Sequence, residues 1–270
     1  MLSVSHIAWS EPNEEAALRL LSEFDIKSVE LAPVRAFGNL LEANEADVRA
    51  KAGWYARQGF NISSFQALLF GTSGLLLFAD QGSRTNLKRW LMRAAQVAGW
   101  CGAKSLVFGS PRNRLRGDLE PCVALEIAIP FFRELGDFCS ANDTRLLIEP
   151  NPEQYGADFC ISLEESITLV RAVDSPGFGL HLDAGGLAIS GESFAGILER
   201  AADLVHHVHA SQPDLSDWKE PDPIHRQVAS ALRSIGYSGG IALEMKKQED
   251  EFGALRTALG SLRNIYQSPP

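Results

Sequence analysis

The chain has 270 residues, 45% apolar and 22% charged, a composition that excludes a disordered polymer and supplies enough apolar material for a sizeable core. Lys and Arg total 25 against 34 Asp and Glu, a formal charge of −9 with no long basic block, which speaks against nucleic acid as a partner. The start, MLSVSHIAWSEPNEE, lacks the basic flank and apolar core of a signal peptide, and no run reaches the ~20 apolar residues of a bilayer span, so no membrane partner and a cytoplasmic location are expected.

Short aliphatic runs alternate with longer stretches of helical period, the signature of βα units and a parallel sheet. The first strand reads SVSHIAW (3–9) and contains His6; a helix EEAALRLLSEF follows, then SVELA (28–32) with Glu30 and NISSFQ (61–66) closing on Gln66. The segment 67–82, ALLFGTSGLLLFADQG, is unusually apolar for a loop. It reads as a lid over a site, as a contact in a homo-oligomer, or as packing against the chain's own helices.

After the helix NLKRWLMRAAQVAGWC comes the strand KSLVFG (104–109), whose outgoing loop carries Arg112, Asn113 and Arg114. The next helix, PCVALEIAIPFFRELGDFCSAND, contains Pro130, which should kink or split it. The remaining strands are RLLIEP (145–150), FGLHLD (178–183), LVHHVHA (204–210) and GIALEM (240–245). The helix after the seventh strand opens at Asp222–Pro223 and carries His225 in its first turn; EDEFGALRTALGSLRNIY is the last helix. Cys101, Cys122, Cys139 and Cys160 have no zinc-finger spacing and read as free thiols.

Eight consecutive βα units without a composition shift, and without a GxGxxG turn after the first strand, fit one closed (β/α)₈ barrel spanning 1–270 better than an open doubly wound sheet. In such barrels chemistry sits at the C-terminal ends of the strands. The last four strands there end on Glu149, Asp183, His209 and Glu244. Three carboxylates so close would repel unless a cation neutralises them, and three carboxylates with one imidazole favour a divalent ion, Mn²⁺ first, with Mg²⁺, Co²⁺ or Zn²⁺ also compatible. Around that metal set, Lys246, Arg112, Asn113, His225, Gln66 and His6 are candidates to bind substrate. His181 and His207 share the inward phase one layer deeper and read as packing, whereas His206 should face the helices.

The segments LLIEPN, HLDAG, HVHAS and ALEMK, with SVELAP less specifically, resemble the xylose-isomerase-like barrel superfamily of sugar isomerases and epimerases, including its ketose 3-epimerase, hydroxypyruvate-isomerase and inosose-dehydratase branches. That resemblance implies a single metal held by Glu149, Asp183, His209 and Glu244, and a carbohydrate substrate of ketose type. It further implies an ene-diolate mechanism in which Glu149 and Glu244 act as base and opposing acid. Two departures limit the transfer of substrate identity. Gly186 stands where ketose epimerases often carry a His, and the Arg they use after the strand-seven His is missing from HASQPDLSDW. A dehydratase or deglycosidase is the alternative within the superfamily; a non-catalytic relative and an abasic-site endonuclease are the more distant ones.

Overall fold

In the computed structural model, which describes residues 1–267, the chain closes into a barrel of eight parallel strands in sequence order. The last three positions of the expected 1–270 span lie outside the described residues. The strands are β1 Leu2–Ser5, β2 Ser28–Leu31, β3 Asn61–Phe65, β4 Ser105–Phe108, β5 Arg145–Ile148, β6 Phe178–Asp183, β7 Val205–Ser211 and β8 Gly240–Glu244. Closure is made by β1 against β8, with Leu2 opposite Ile241 and Val4 opposite Leu243.

Helices α1 Glu14–Glu23, α2 Pro33–Phe37, α3 Glu45–Arg57, α4 Gln81–Cys101, α5 Pro121–Ala141, α6 Leu163–Val173, α7 Ala184–Ser190, α8 Ala195–Arg200, α9 Ile224–Ser234 and α10 Glu251–Tyr266 connect the strands. Their starts follow capping chemistry. Asn44, Asp80, Ser162, Asp183 and Asp250 each accept a backbone N–H from the first turn of α3, α4, α6, α7 and α10. At the end of α4, Gly102 takes φ +81°, a left-handed conformation that costs glycine nothing.

Two local expectations change. The first strand ends at Ser5, and His6–Ala8 form a 3₁₀ turn, so His6 leaves the strand instead of sitting within it. Pro130 does not split its helix, because α5 runs unbroken from Pro121 to Ala141. Pro130 and Glu126, four residues earlier, are both exposed, so the carbonyl deprived of its N–H partner faces water. Buried Ala124, Ala128, Phe131 and Phe132 hold the helix against the barrel on its other side. Among the described residues, no helix is long and apolar enough to cross a membrane.

Candidate active site

Register brings the strand-end residues together. Asp183 on β6 lies opposite His209 on β7, one layer above the pair His181 and His207, and Ser211 on β7 lies opposite Glu244 on β8. Asp183, His209 and Glu244 offer ligand atoms within 4.8 Å of one another; Glu149, just past β5, comes within the same distance of His209 and His181. His209 is thus the hinge of the cluster, and it is almost fully buried, 2% exposed.

Each side chain is held in place by neighbours. Asp183 accepts the Gly186 N–H at 2.7 Å and the Ser211 hydroxyl, which itself accepts the Gly185 N–H at 3.0 Å. Asn151 Nδ2 donates to Glu149 Oε1 at 2.7 Å, and Asn151 Oδ1 accepts from Arg114 Nη2 at 2.6 Å. The same Arg114 nitrogen donates to the Glu149 carbonyl oxygen. Gly109 on the neighbouring strand end leaves room for the Glu149 carboxylate, since a Cβ there would stand 2.2 Å from Oε2.

Beneath this layer lies a second one built on Glu30. Its buried carboxylate accepts the Ser64 hydroxyl at 2.7 Å and contacts His207 Nε2 at 2.8 Å and His209 Nε2 at 3.0 Å. The other His209 nitrogen, Nδ1, lies 3.1 Å from Glu244 Oε2. Burial alone would raise the Glu30 pKa, but the positive charge of His209 and hydrogen bonds from both histidines hold it well below the usual carboxylate range. Burial opposes charge on His209, yet Glu30 and Glu244 on its two sides lift its pKa well above the ordinary value. Burial, with repulsion from Asp183 and Glu244, pushes Glu149 up to about 8. Burial and Glu244 push Asp183 up to about 6. His181 is fully buried with neither ring nitrogen bonded, its Nε2 4.0 Å from Glu149 Oε2; burial, then the charges of His209 and His207, keep its pKa well below normal.

The donor set fits a divalent cation. Asp183, His209 and Glu244 converge with Glu149 joined through His209, burial and neighbouring carboxylates drive Glu149 and Asp183 toward protonation, and His209 Nε2 facing Glu30 leaves Nδ1 toward Glu244. Glu149, Asp183, His209 and Glu244 would hold the ion.

The cluster floors a cleft of about 720 Å³ that also takes in Gln66, Arg112, Asn113 and Lys246. Gln66 donates to Ser5 Oγ at 3.1 Å, Asn113 donates to the Leu75 carbonyl at 2.6 Å, and Lys246 Nζ donates to the Asp214 carbonyl at 3.0 Å. Two of the candidate substrate ligands lie elsewhere. His225 is buried under Trp218, bonded to Tyr266 and Gln212, with its pKa lowered to about 4 by burial. His6 accepts the Ala32 N–H at 2.8 Å and lines a separate cavity of 360 Å³ with Glu14, Arg35 and Tyr55. Arg114, placed by sequence at the rim, is 1% exposed beneath Glu149. Gly186 faces Asp183, Pro150 and Pro152, so a side chain there would crowd the Asp183 carboxylate, 3.2 Å from its Cβ position.

Sequence reasoning missed Asn151, Tyr155 and Asp214 at the cleft and the supporting role of Glu30. The Pro150–Asn151–Pro152 segment after Glu149 was the available signal for Asn151, because an Asn side chain can bond back to groups near it in the chain.

An eight-stranded barrel with a carboxylate–histidine cluster at its C-terminal mouth defines the class of (β/α)₈ proteins with a candidate metal centre. Within that class, residues 18–265 match the xylose isomerase-like TIM barrel family, and the chain belongs to it. No curated protein sequence matches the chain. Among solved structures, a D-psicose 3-epimerase from Clostridium cellulolyticum H10 with D-tagatose superposes with TM-score 0.79 at 13% identity, covering 98% of this chain and 99% of that one. The E. coli 3-keto-D-glucoside 4-epimerase YcjR gives TM-score 0.81 at 17% identity over 97% of this chain and 98% of its own. An AP endonuclease, family 2, from Brucella melitensis gives 0.72 at 19% identity over 94% and 96%. At these identities the likeness is one of fold.

Proposed function

We propose that the protein is a divalent-metal-dependent epimerase or isomerase of a ketose-type sugar, removing a proton α to a carbonyl and returning it at the same or the adjacent carbon. The observation that carries this reading is the cluster of Asp183, His209 and Glu244 with Glu149 joined through His209, at the floor of a cleft of sugar-accommodating size. The epimerase names of two structural neighbours support it. When bound, the ion supplies positive charge that lowers the cost of negative charge on the substrate oxygens.

Glu149 is the candidate base. Its proton affinity is set near neutrality by burial and neighbouring carboxylates, where a group exchanges protons in both directions, and Asn151 fixes one oxygen while the other is free. Glu244 is the candidate partner, giving back the proton. Asp183 has both oxygens bonded within the protein and serves as ligand. Lys246 and Arg112 orient hydroxyls or carry the developing charge, while Asn113 and Gln66 line the cleft with side chains bonded within the protein; His6 and His225 are left out because their rings are committed away from the cleft. An endonuclease reading gains nothing here, since the early-strand residues Glu30 and Gln66 bond within the protein and the net charge is −9.

The test is deuterium wash-in followed by proton NMR, using Mn²⁺-loaded protein and a panel of ketoses and keto-glycosides in D₂O. Exchange at one carbon, abolished by Glu149→Gln and by Glu244→Gln, is the expected result. Melting temperature unchanged by every divalent ion, or exchange intact in both variants, refutes it.

A further inference from the structure

The cleft has two unlike ends. The metal-competent residues and Lys246 form one; Leu68, Leu69, Phe70, Leu76, Val107 and Phe108 contribute to the other. A free hexose displaces the volume of about six or seven waters, ~200 Å³ at ~30 Å³ each, well below the 720 Å³ of the cleft. It also carries a hydroxyl on nearly every carbon and gains little from an aliphatic and aromatic wall.

The apolar lip is built. Leu68 and Leu69 are buried, and Trp90 Nε1 on α4 donates to the Leu68 carbonyl at 2.8 Å, pinning the start of the loop. Its end is tied to the loop after β4 by Leu77 N–H to the Asn113 carbonyl at 2.8 Å and Asn113 Nδ2 to the Leu75 carbonyl at 2.6 Å. Between these anchors Phe70 is left 74% exposed and Leu76 36% exposed, with Leu115 44% exposed on the joined loop. Anchored on both sides and still showing a phenyl ring to solvent at the rim of a cavity, the segment has the form of a binding wall awaiting an apolar group.

We propose that the substrate is a ketose carrying a bulky apolar substituent, of the aryl or long-chain alkyl keto-glycoside class. The sugar lies over the Glu149–Glu244 floor, and the substituent lies against Leu69, Phe70 and Leu76. The inference rests on the proposed α-proton chemistry and specifies its substrate; Arg112, exposed on the same rim, accommodates an aromatic face as well as a hydroxyl.

The experiment compares phenyl and methyl 3-keto-β-D-glucopyranosides and D-fructose as substrates for Mn²⁺-loaded full-length protein, reading deuterium wash-in for kcat and KM. The phenyl compound should show a KM at least about tenfold below that of the methyl compound, the scale expected for burying one ring. In Phe70→Ser and Leu69→Ser the ratio of the two KM values should shrink to within about twofold. Equal KM values in the wild type, or a ratio that survives both substitutions, overturns the proposal while leaving the proton chemistry standing. Exchange in none of the probes, with Mn²⁺ still raising the melting temperature, refutes both the chemistry and its substrate. A dimer in light scattering that dissociates in Phe70→Ser, with no phenyl preference, assigns the lip to a second copy of the chain and also overturns the proposal.

Discussion

Glu30→Gln isolates the layer beneath the candidate ligands. Glu30 is 0% exposed and its carboxylate is shared by the Ser64 hydroxyl, His207 Nε2 and His209 Nε2. With His209 Nε2–H donating downward to Glu30, the lone pair for a metal must lie on Nδ1, the nitrogen facing Glu244. Glutamine keeps the shape but replaces one accepting oxygen with an NH₂ donor, so a neighbouring donor loses its acceptor and the His209 tautomer is no longer enforced. Loss of such an orienting carboxylate lowers metal affinity by about 10- to 100-fold, or about 1.4–2.7 kcal/mol. Calorimetric titration of Mn²⁺ reads the affinity, and nitrogen-detected NMR with Zn²⁺ as a diamagnetic stand-in reads which His209 nitrogen carries hydrogen. An unchanged Kd and tautomer in Glu30→Gln, in an assay where Asp183→Asn weakens binding, would refute the orienting role.

Proton release follows from the same cluster: at pH 7 a group with pKa about 8 is ~0.9 protonated, so binding Mn²⁺ should release roughly one proton from the Glu149 and Asp183 pair and a further one from His209. Titration in two buffers of different ionisation enthalpy measures this, and zero release refutes it. Above about pH 7, where the buried neutral histidines His6, His181, His206 and His225 no longer oppose the trend, the stability of the metal-free protein should fall as pH rises. Glu149, Asp183 and His209 all bind protons more tightly folded than unfolded, so their contribution is full below their unfolded values and is lost through about pH 6 to 8 and above; Glu30, with a lowered pKa, acts oppositely only as pH falls through the acid range. Mn²⁺ should flatten that slope, as melting curves from about pH 7 to 9 will show. Gly109→Ala puts a Cβ 2.2 Å from Glu149 Oε2, so it should displace the carboxylate and lower deuterium exchange at least about tenfold with far-UV circular dichroism unchanged. His225→Gln should cost about 1–3 kcal/mol of stability, read by urea unfolding, through its Tyr266 and Gln212 bonds, and leave exchange kinetics alone.

The barrel was legible, and so was the placing of Glu149, Asp183, His209 and Glu244 at strand ends, because both are matters of local period. A parallel strand buried on both faces reads as an apolar run, and the polar residue closing it must face the mouth. What depends on distant partners was not legible. Glu30 meets His209 across 179 positions of sequence, and His225 is claimed by Tyr266 on the last helix. Arg114 sits in a loop of arginines that sequence treats alike, yet a 3₁₀ turn at Pro111–Arg114 directs it under Glu149 while Arg112 stays exposed. His6 was misplaced because β1 ends early, its role as acceptor from Ala32 depending on the chain path after β2.

One cause accounts for the opposite pKa directions within the site. Glu30 faces His209 Nε2 and, with His207 and Ser64 also at its oxygens, has enough positive charge and hydrogen bonding to stay ionised while fully buried. Glu149 and Asp183 sit above the ring beside Glu244, where carboxylate repulsion adds to burial and exceeds what His209 supplies. The deep carboxylate is therefore neutralised by the protein itself, and Glu149 and Asp183 are not. A divalent ion among the upper carboxylates would reverse the shifts of Glu149 and Asp183 and, by taking His209 Nδ1, strip the proton that bridges it to Glu244, leaving Glu30 as the fixed anion that holds the ring. Selective loss of the high carboxyl titrations on adding Mg²⁺, followed by carbon NMR with labelled Glu and Asp while the Glu30 signal stays put, is what this division requires; a Glu30 signal that moves with the others would place the cation one layer deeper.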